Sequence, residues 1–157
     1  MSSKKKSSSS EQKENSNDAP LSKYEKILSC RQSSTGSPEY YVKLRGKSYK
    51  ESEWISGEDL QKNPQSQSML TRFIKNQRDY PMEPPYYDPQ YDIVDRIIRK
   101  KDRKYLVKWM GLGYDQTTWE KAGDISDEAV EDFKLRQLQA HPPKSSDVNK
   151  SPSLNFQ

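Results

Sequence analysis

The stretch Tyr105-Leu106-Val107-Lys108-Trp109-Met110-Gly111-Leu112-Gly113-Tyr114-Asp115-Gln116-Thr117-Thr118-Trp119-Glu120 decides the fold. It opens on β-branched and aromatic residues that favour strands, halts at a glycine, and resumes with Thr-Thr-Trp, a second strand-forming run. The same grammar stands earlier in the chain, in Tyr40-Tyr41-Val42-Lys43-Leu44-Arg45-Gly46-Lys47-Ser48-Tyr49 followed by Trp54. Six of the fifteen aligned positions are identical, with Tyr40, Val42, Lys43, Gly46, Tyr49 and Trp54 matching Tyr105, Val107, Lys108, Gly111, Tyr114 and Trp119. Chance does not readily repeat Tyr, Gly, Tyr and Trp at one spacing, so the chain carries two copies of one small fold.

Working outward, a short apolar strand precedes each copy, Tyr24 to Leu28 in the first and Ile93 to Ile98 in the second. The turn that follows is Ser33 to Pro38 in one copy and the shorter Lys101-Asp102-Arg103 in the other. Gly46 and Gly111 each end a strand at a turn, where unusual backbone angles favour glycine. Trp54 and Trp119 are expected as core residues of the third strand, with Tyr49 and Tyr114 closing the turn before it. After the first copy, Asn63-Pro64 reads as a side-chain cap with proline at the first helical position, and Met69, Leu70, Phe73 and Ile74 recur at helical spacing before Pro81. After the second, Ser126 caps a helix with Asp127 and Glu128 in its first turn and Ala129, Val130, Phe133 and Leu138 as its apolar face.

The expected class is therefore α+β, with two units that are each a curled three-stranded antiparallel sheet closed by a C-terminal helix. The expected boundaries are a disordered Ser/Lys-rich tail over 1–21, the first unit with its linker helix over 22–80, a Pro/Tyr connector over 81–90, the second unit over 91–140, and a second disordered tail over 141–157. This division accounts for the composition. Of 157 residues, 30% are hydrophobic and 32% charged, and the mean hydropathy is -1.22, too polar for one packed body of that length. Two small modules with polar tails need no large core.

Several classes are excluded on the same grounds. No apolar run approaches the length of a membrane span, and the Ser/Lys-rich start has no apolar stretch of a secretory signal, so no membrane association is expected. A lone cysteine, Cys30, and a lone histidine, His141, make neither a disulfide nor a zinc site, and no cofactor is expected. No Gly-x-x-x-x-Gly-Lys-Ser/Thr loop is present, and the carboxylates show no paired arrangement for acid-base chemistry, so the chain reads as non-enzymatic.

Preceded by Val94-Asp95-Arg96-Ile97-Ile98, the run from Tyr105 to Glu120 resembles a chromodomain, and Tyr41 to Trp54 resembles a more divergent one. Their pairing, with the helix from Met69 to Asp79 and the Glu83-Pro84-Pro85 connector between them, is similar to the tandem chromodomains of the CHD (chromodomain-helicase-DNA-binding) chromatin remodellers. The resemblance covers roughly residues 22–140. In that family a Snf2-type ATPase follows the tandem, and here its phosphate loop is absent. The resemblance implies a nuclear, non-catalytic module that docks on nucleosomes through DNA phosphates and a histone tail, methylated H3 among the candidates.

Family chromodomains often hold methyl-lysine in a cage of about three aromatics, because ring faces attract a desolvated quaternary ammonium. Carried over residue by residue, the second copy keeps Trp109. Leu112 replaces the aromatic three positions later and Asp92 the aromatic two residues before Val94, while Tyr91 or Tyr87 stands near enough in sequence to fill the vacancy. The competing reading makes Trp109 a packing aromatic, and it is the better supported of the two. In the first copy Leu44, Lys47 and Ser22 occupy the cage positions, and Lys47 repels a methylammonium.

Charge supplies the second clue. Arg96, Arg99, Lys100, Lys101, Arg103, Lys104 and Lys108 crowd the second copy's first hairpin, with Asp92, Asp95 and Asp102 opposing them, and the linker helix adds Arg72, Lys75 and Arg78. Such a surface suits phosphates through counterion release. A lysine-rich edge that blocks aggregation is the bland counterpart, and from charge alone the two weigh evenly. The resemblance favours DNA. Two further readings stand beside the chromatin module. The chain is the N-terminal regulatory piece of an ATP-dependent remodeller, with the ATPase on a separate subunit or beyond the end at Asn155-Phe156-Gln157, or it is a protein-protein adaptor working through Tyr86-Tyr87.

Overall fold

A computed structural model describes residues 21–141; the expected tails, apart from Leu21 and His141, lie outside the described residues. The described chain divides into two compact units, one formed by residues 21–45 and Glu53–Tyr80, the other by Gly46–Ser52 and residues 81–141. Each contains one three-stranded sheet of the repeated plan. The first sheet comprises β1 (Tyr24–Gln32), β2 (Pro38–Leu44) and β3 (Glu53–Ser56), and the second β4 (Val94–Lys101), β5 (Lys104–Trp109) and β6 (Thr118–Lys121). Both are antiparallel meanders in sequence order. Helices α1 (Gly57–Leu60) and α2 (Pro64–Lys75) follow the first sheet, and α3 (Asp127–Ala140) follows the second.

The two sheets agree down to their irregularities. Register shifts fall between Tyr24 and Lys26 and between Ile27 and Ser29 in β1, and at the matching places, between Val94 and Arg96 and between Ile97 and Arg99, in β4. Such bulges bend a strand and strengthen its twist, which lets three short strands curl around one apolar face. The inward residues match as well. Ile27 and Val42 in one core correspond to Ile97 and Val107 in the other. Tyr40 meets Phe73 of α2 edge to face with centroids 5.8 Å apart, and Tyr105 meets Phe133 of α3 in the same way at 5.8 Å.

The lysine of the repeated Tyr-x-Val-Lys run has a structural role. Lys43 is 2% exposed, and its Nζ donates to Glu25 Oε1 at 2.7 Å and to the Leu44 carbonyl at 3.0 Å. Lys108 repeats the device on Asp95 Oδ2 at 2.8 Å, holding that carboxyl below its usual range mainly through the hydrogen bond. Each lysine thus ties the strand that carries it to the bulged end of the first strand.

Both helix starts are as the sequence predicts. Asn63 accepts from the amides of Gln65 and Ser66 with Pro64 behind it, and Ser126 accepts from the amide of Ala129. Gly46 and Gly111 have φ of 79° and 80°, and a Cβ on Gly111 would lie 2.6 Å from Gln90 Nε2. Four expectations need correction. Trp119 is 41% exposed and Trp54 is only half-buried, so neither tryptophan fills a core. Ile74 and Leu138, placed on apolar helix faces by spacing, are 51% and 64% exposed; Ile74 sits one residue round the helix from the buried Phe73, off the face that meets the sheet, and Leu138 lies past Phe133, the buried residue of its helix.

Candidate nucleic-acid and histone-tail surfaces

In an antiparallel sheet, residues directly opposite share a face. In the second sheet Ile97 and Val107 point into the core, so the alternate positions form the outer face. Arg99, Leu106 and Trp119 make one row across the three strands, and Lys101, Lys104 and Lys121 make the next. Arg96 stands opposite Lys108, which is held by Asp95. Among the described residues, Arg96, Arg99, Lys101, Lys104 and Lys121 have no carboxylate within ion-pair distance. Arg103 sits in the exposed turn beside Asp102, whose φ is 58°.

The expected basic stretch therefore splits. Lys100 pairs opposite the buried Tyr105, with its Nζ 5.6 Å from that ring, and leaves the row formed by its neighbours. Lys121, outside the basic hairpin in sequence, joins that row. Register is the signal that finds it. Arg72, Lys75 and Arg78 are exposed residues of the first unit, the first two in the last turn of α2, where cations complement the helix dipole.

The cage candidates assemble differently from one another. Trp109 is 1% exposed and belongs to the second core. Its Nε1 donates to Thr118 Oγ1 at 2.9 Å, and the Thr118 hydroxyl donates to Glu120 Oε2 at 2.6 Å. The Lys50 ammonium, from the Gly46–Ser52 segment of the same unit, lies 5.3 Å from the Trp109 ring centroid. Leu112 packs half-buried against the core. Tyr91 stacks parallel to Tyr87 at 6.4 Å, and both rings meet the buried Tyr49, at 4.9 and 5.1 Å. Asp92 accepts from the Tyr87 hydroxyl at 3.0 Å. Beside this cluster a cavity of about 480 Å³ is lined by Asp92, Asp95, Asp124, Glu128 and Asp132, with Lys50 and Arg96 at its walls. Asp132 is paired to Arg136, whose guanidinium also donates to the Ile97 carbonyl at 3.0 Å and fastens α3 to β4.

The Chromo (CHRromatin Organisation MOdifier) domain matches residues 24–76 and again 91–136. The chain belongs to the chromo domain family. Chromodomain-helicase-DNA-binding protein 7 of Homo sapiens is 35% identical over 167 residues, taking in 93% of this chain and 6% of that protein. Chromodomain-helicase-DNA-binding protein 9 of Mus musculus is 32% identical over 163 residues, 89% of this chain and 6% of the relative. The protein 8 of the same name in Xenopus tropicalis is 31% identical over 152 residues, 83% and 7%. The chain thus spans a small fraction of the length of the curated relatives it matches. It is a chromatin-associated module built from two chromo domains. Among the described residues, no helix is long and apolar enough to cross a membrane.

Glu120 gives this chromo domain a pH signature. Burial pushes its carboxyl up from the ordinary 4.5, the Thr118 hydroxyl pulls the other way, and Glu51, Lys50 and Asp124 add smaller effects. The folded unit holds this proton more tightly than the unfolded chain. The stabilisation is complete below pH 4.5 and is lost as pH rises through the folded pKa. Glu120→Gln keeps an oxygen to accept from Thr118 without the charge. It is expected to unfold at a higher temperature than the parent at neutral pH, the gap closing below pH 4.5. A gap that stays constant with pH in a thermal-unfolding series would refute this assignment.

Proposed function

We propose that the chain is a non-catalytic nuclear docking module that engages nucleosomal DNA through phosphates on the outer face of the second sheet. The observation that carries this reading is the set of outward cations, Arg96, Arg99, Lys101, Lys104 and Lys121, with no carboxylate partners among the described residues. Phosphates supply the missing counter-charge without reading sequence.

A basic histone tail is the second partner. β4 is an edge strand, and an extended peptide can add to such an edge. The neighbouring acidic cavity complements lysines and arginines, and among the described residues Asp124 and Glu128 are in no ion pair. With Trp109 buried and its ring facing Lys50, tail affinity in this reading follows charge more than methylation, for H3 or another basic tail. A role as the regulatory part of an ATP-dependent remodeller is favoured by the chromodomain-helicase-DNA-binding relatives, which extend far beyond the matched region. An ATPase in the same polypeptide or on a partner subunit fits that reading equally.

Titration of duplex DNA, nucleosomes, and trimethylated and unmodified tail peptides at several salt concentrations tests both parts. If about four phosphates are engaged, log affinity falls with log salt at a slope of roughly -4, a loss of about two orders of magnitude between roughly 50 and 200 mM. Trimethylated and unmodified peptides are expected to differ by less than about twofold. Salt-insensitive duplex binding would sink the phosphate reading, and a large methylation preference would sink the charge reading of the tail. Salt-insensitive binding to a protein partner would instead support an adaptor.

A further inference from the structure

The outer face of the second sheet carries an aromatic that duplex docking does not use. Trp119 is 41% exposed, opposite Leu106 in the row beside Lys101, Lys104 and Lys121. The cleft over it is about 540 Å³ and is lined by Lys101, Asp102, Arg103, Lys104 and Trp119. Among the described residues no ring and no cation lies on its face.

The first unit provides an internal control. At the matching position Trp54 is covered, with the Arg31 guanidinium 4.0 Å from its ring centroid and Tyr41 at 5.0 Å. Arg31 is in turn fixed by Glu39 at 2.9 Å, and the row across that sheet reads Arg31, Glu39, Ser56. In the second unit the same three places hold Lys101, Lys104 and Lys121, and Leu106 stands where Tyr41 does. The covering residues and the neutralising carboxylate have both been replaced. Like charges directly opposite on a sheet are unfavourable, so a row of three lysines is relieved when an anion bridges it. An uncovered indole beside such a row joins a flat stacking surface to a phosphate track, the two elements that bind single-stranded nucleic acid.

We propose that the outer face of the second sheet binds single-stranded nucleic acid, one base stacking on Trp119 while the flanking phosphates lie along Lys101, Lys104 and Lys121. Duplex DNA keeps its base faces stacked inside the helix and leaves Trp119 unused. The Asp102 carboxylate at the rim confines the phosphates to the lysine side of the indole. This proposal rests on the reading that these lysines take phosphates, and it adds the base.

Labelled oligothymidylate, oligouridylate, an abasic deoxyribose-phosphate strand and a duplex of equal length, titrated into the full chain, test it. Trp119→Ala is expected to weaken both base-bearing single strands by roughly tenfold or more, with the abasic strand and the duplex changed by less than about twofold. Trp119→Phe is expected to recover most of the loss, which separates stacking from misfolding. Preference for thymidylate or uridylate distinguishes DNA from RNA as the source. Equal losses on the abasic strand and on the base-bearing strands, or no loss on any, would overturn the proposal. Absence of duplex binding together with a Trp119-dependent single-strand affinity would remove the nucleosomal reading and leave this one standing.

Discussion

Trp109→Ala is expected to destabilise the second unit by about 3–5 kcal/mol, the range for truncating a large buried aromatic. The ring is 1% exposed and packs in one cluster with Ile97, Val107, Ile125 and Phe133. Truncation opens a cavity in a core of few residues and breaks the chain from Nε1 through Thr118 to Glu120. Small domains have a net stability of only about 5–15 kcal/mol, so such a loss removes much of the margin. The local readout is hydrogen exchange at the Tyr105–Trp109 amides, which should lose protection together. Trp109→Phe retains an aromatic face but loses the donor to Thr118, and should fall between the parent and the alanine variant. A Trp109 that lined an open cage would behave differently, with alanine lowering peptide affinity while leaving the unfolding midpoint within about 0.5 kcal/mol of the parent, as surface changes usually do. That outcome would remove Trp109 from the core.

The contrast between Trp54 and Trp119 explains which features the sequence carries openly and which it does not. Repeat spacing locates both tryptophans on third strands, and local chemistry locates the caps at Asn63 and Ser126 and the turn glycines, because each depends on a few adjacent residues. Exposure depends on neighbours across the strands. Arg31 and Tyr41 cover one indole, Lys101 and Leu106 leave the other open, and only the bulged register shows which residues face which. The same reason hid the division of the basic hairpin. Lys100 and Lys101 are adjacent in sequence and fall on opposite faces, while Lys121, distant in sequence, completes the row. Lys43 and Lys108 look like surface charge in the sequence, yet each is consumed in a clamp on its sheet's bulged strand. Tyr49 and Tyr114 occupy one motif position with opposite fates, because Tyr87 of the connector and Tyr91 just after it bury the first, whereas the second, with Lys108 over it at 5.3 Å, stays 58% exposed.

The double change Lys101→Glu with Lys121→Glu is expected to weaken duplex and nucleosome binding by roughly 100-fold at moderate salt and to make the salt slope shallower by about two contacts. Two phosphate contacts are lost and two repulsive charges put in their place. The same change leaves Lys104 between two carboxylates, a row that resembles the paired Arg31 and Glu39 of the first sheet. Opposite charges across a strand pair contribute roughly 0.2–1 kcal/mol, so the variant should be as stable as its parent or more so. Affinity and stability therefore move in opposite directions, which misfolding cannot imitate. Lys100→Glu is the control on the other face, and with screening over about 8 Å at physiological salt it should cost less than about threefold. If the double variant binds DNA like the parent, the lysine row is an edge that discourages aggregation. If it binds weakly and is also less stable, the row belongs to the fold. Only loss of binding with stability kept or raised fits lysines held unpaired for phosphate.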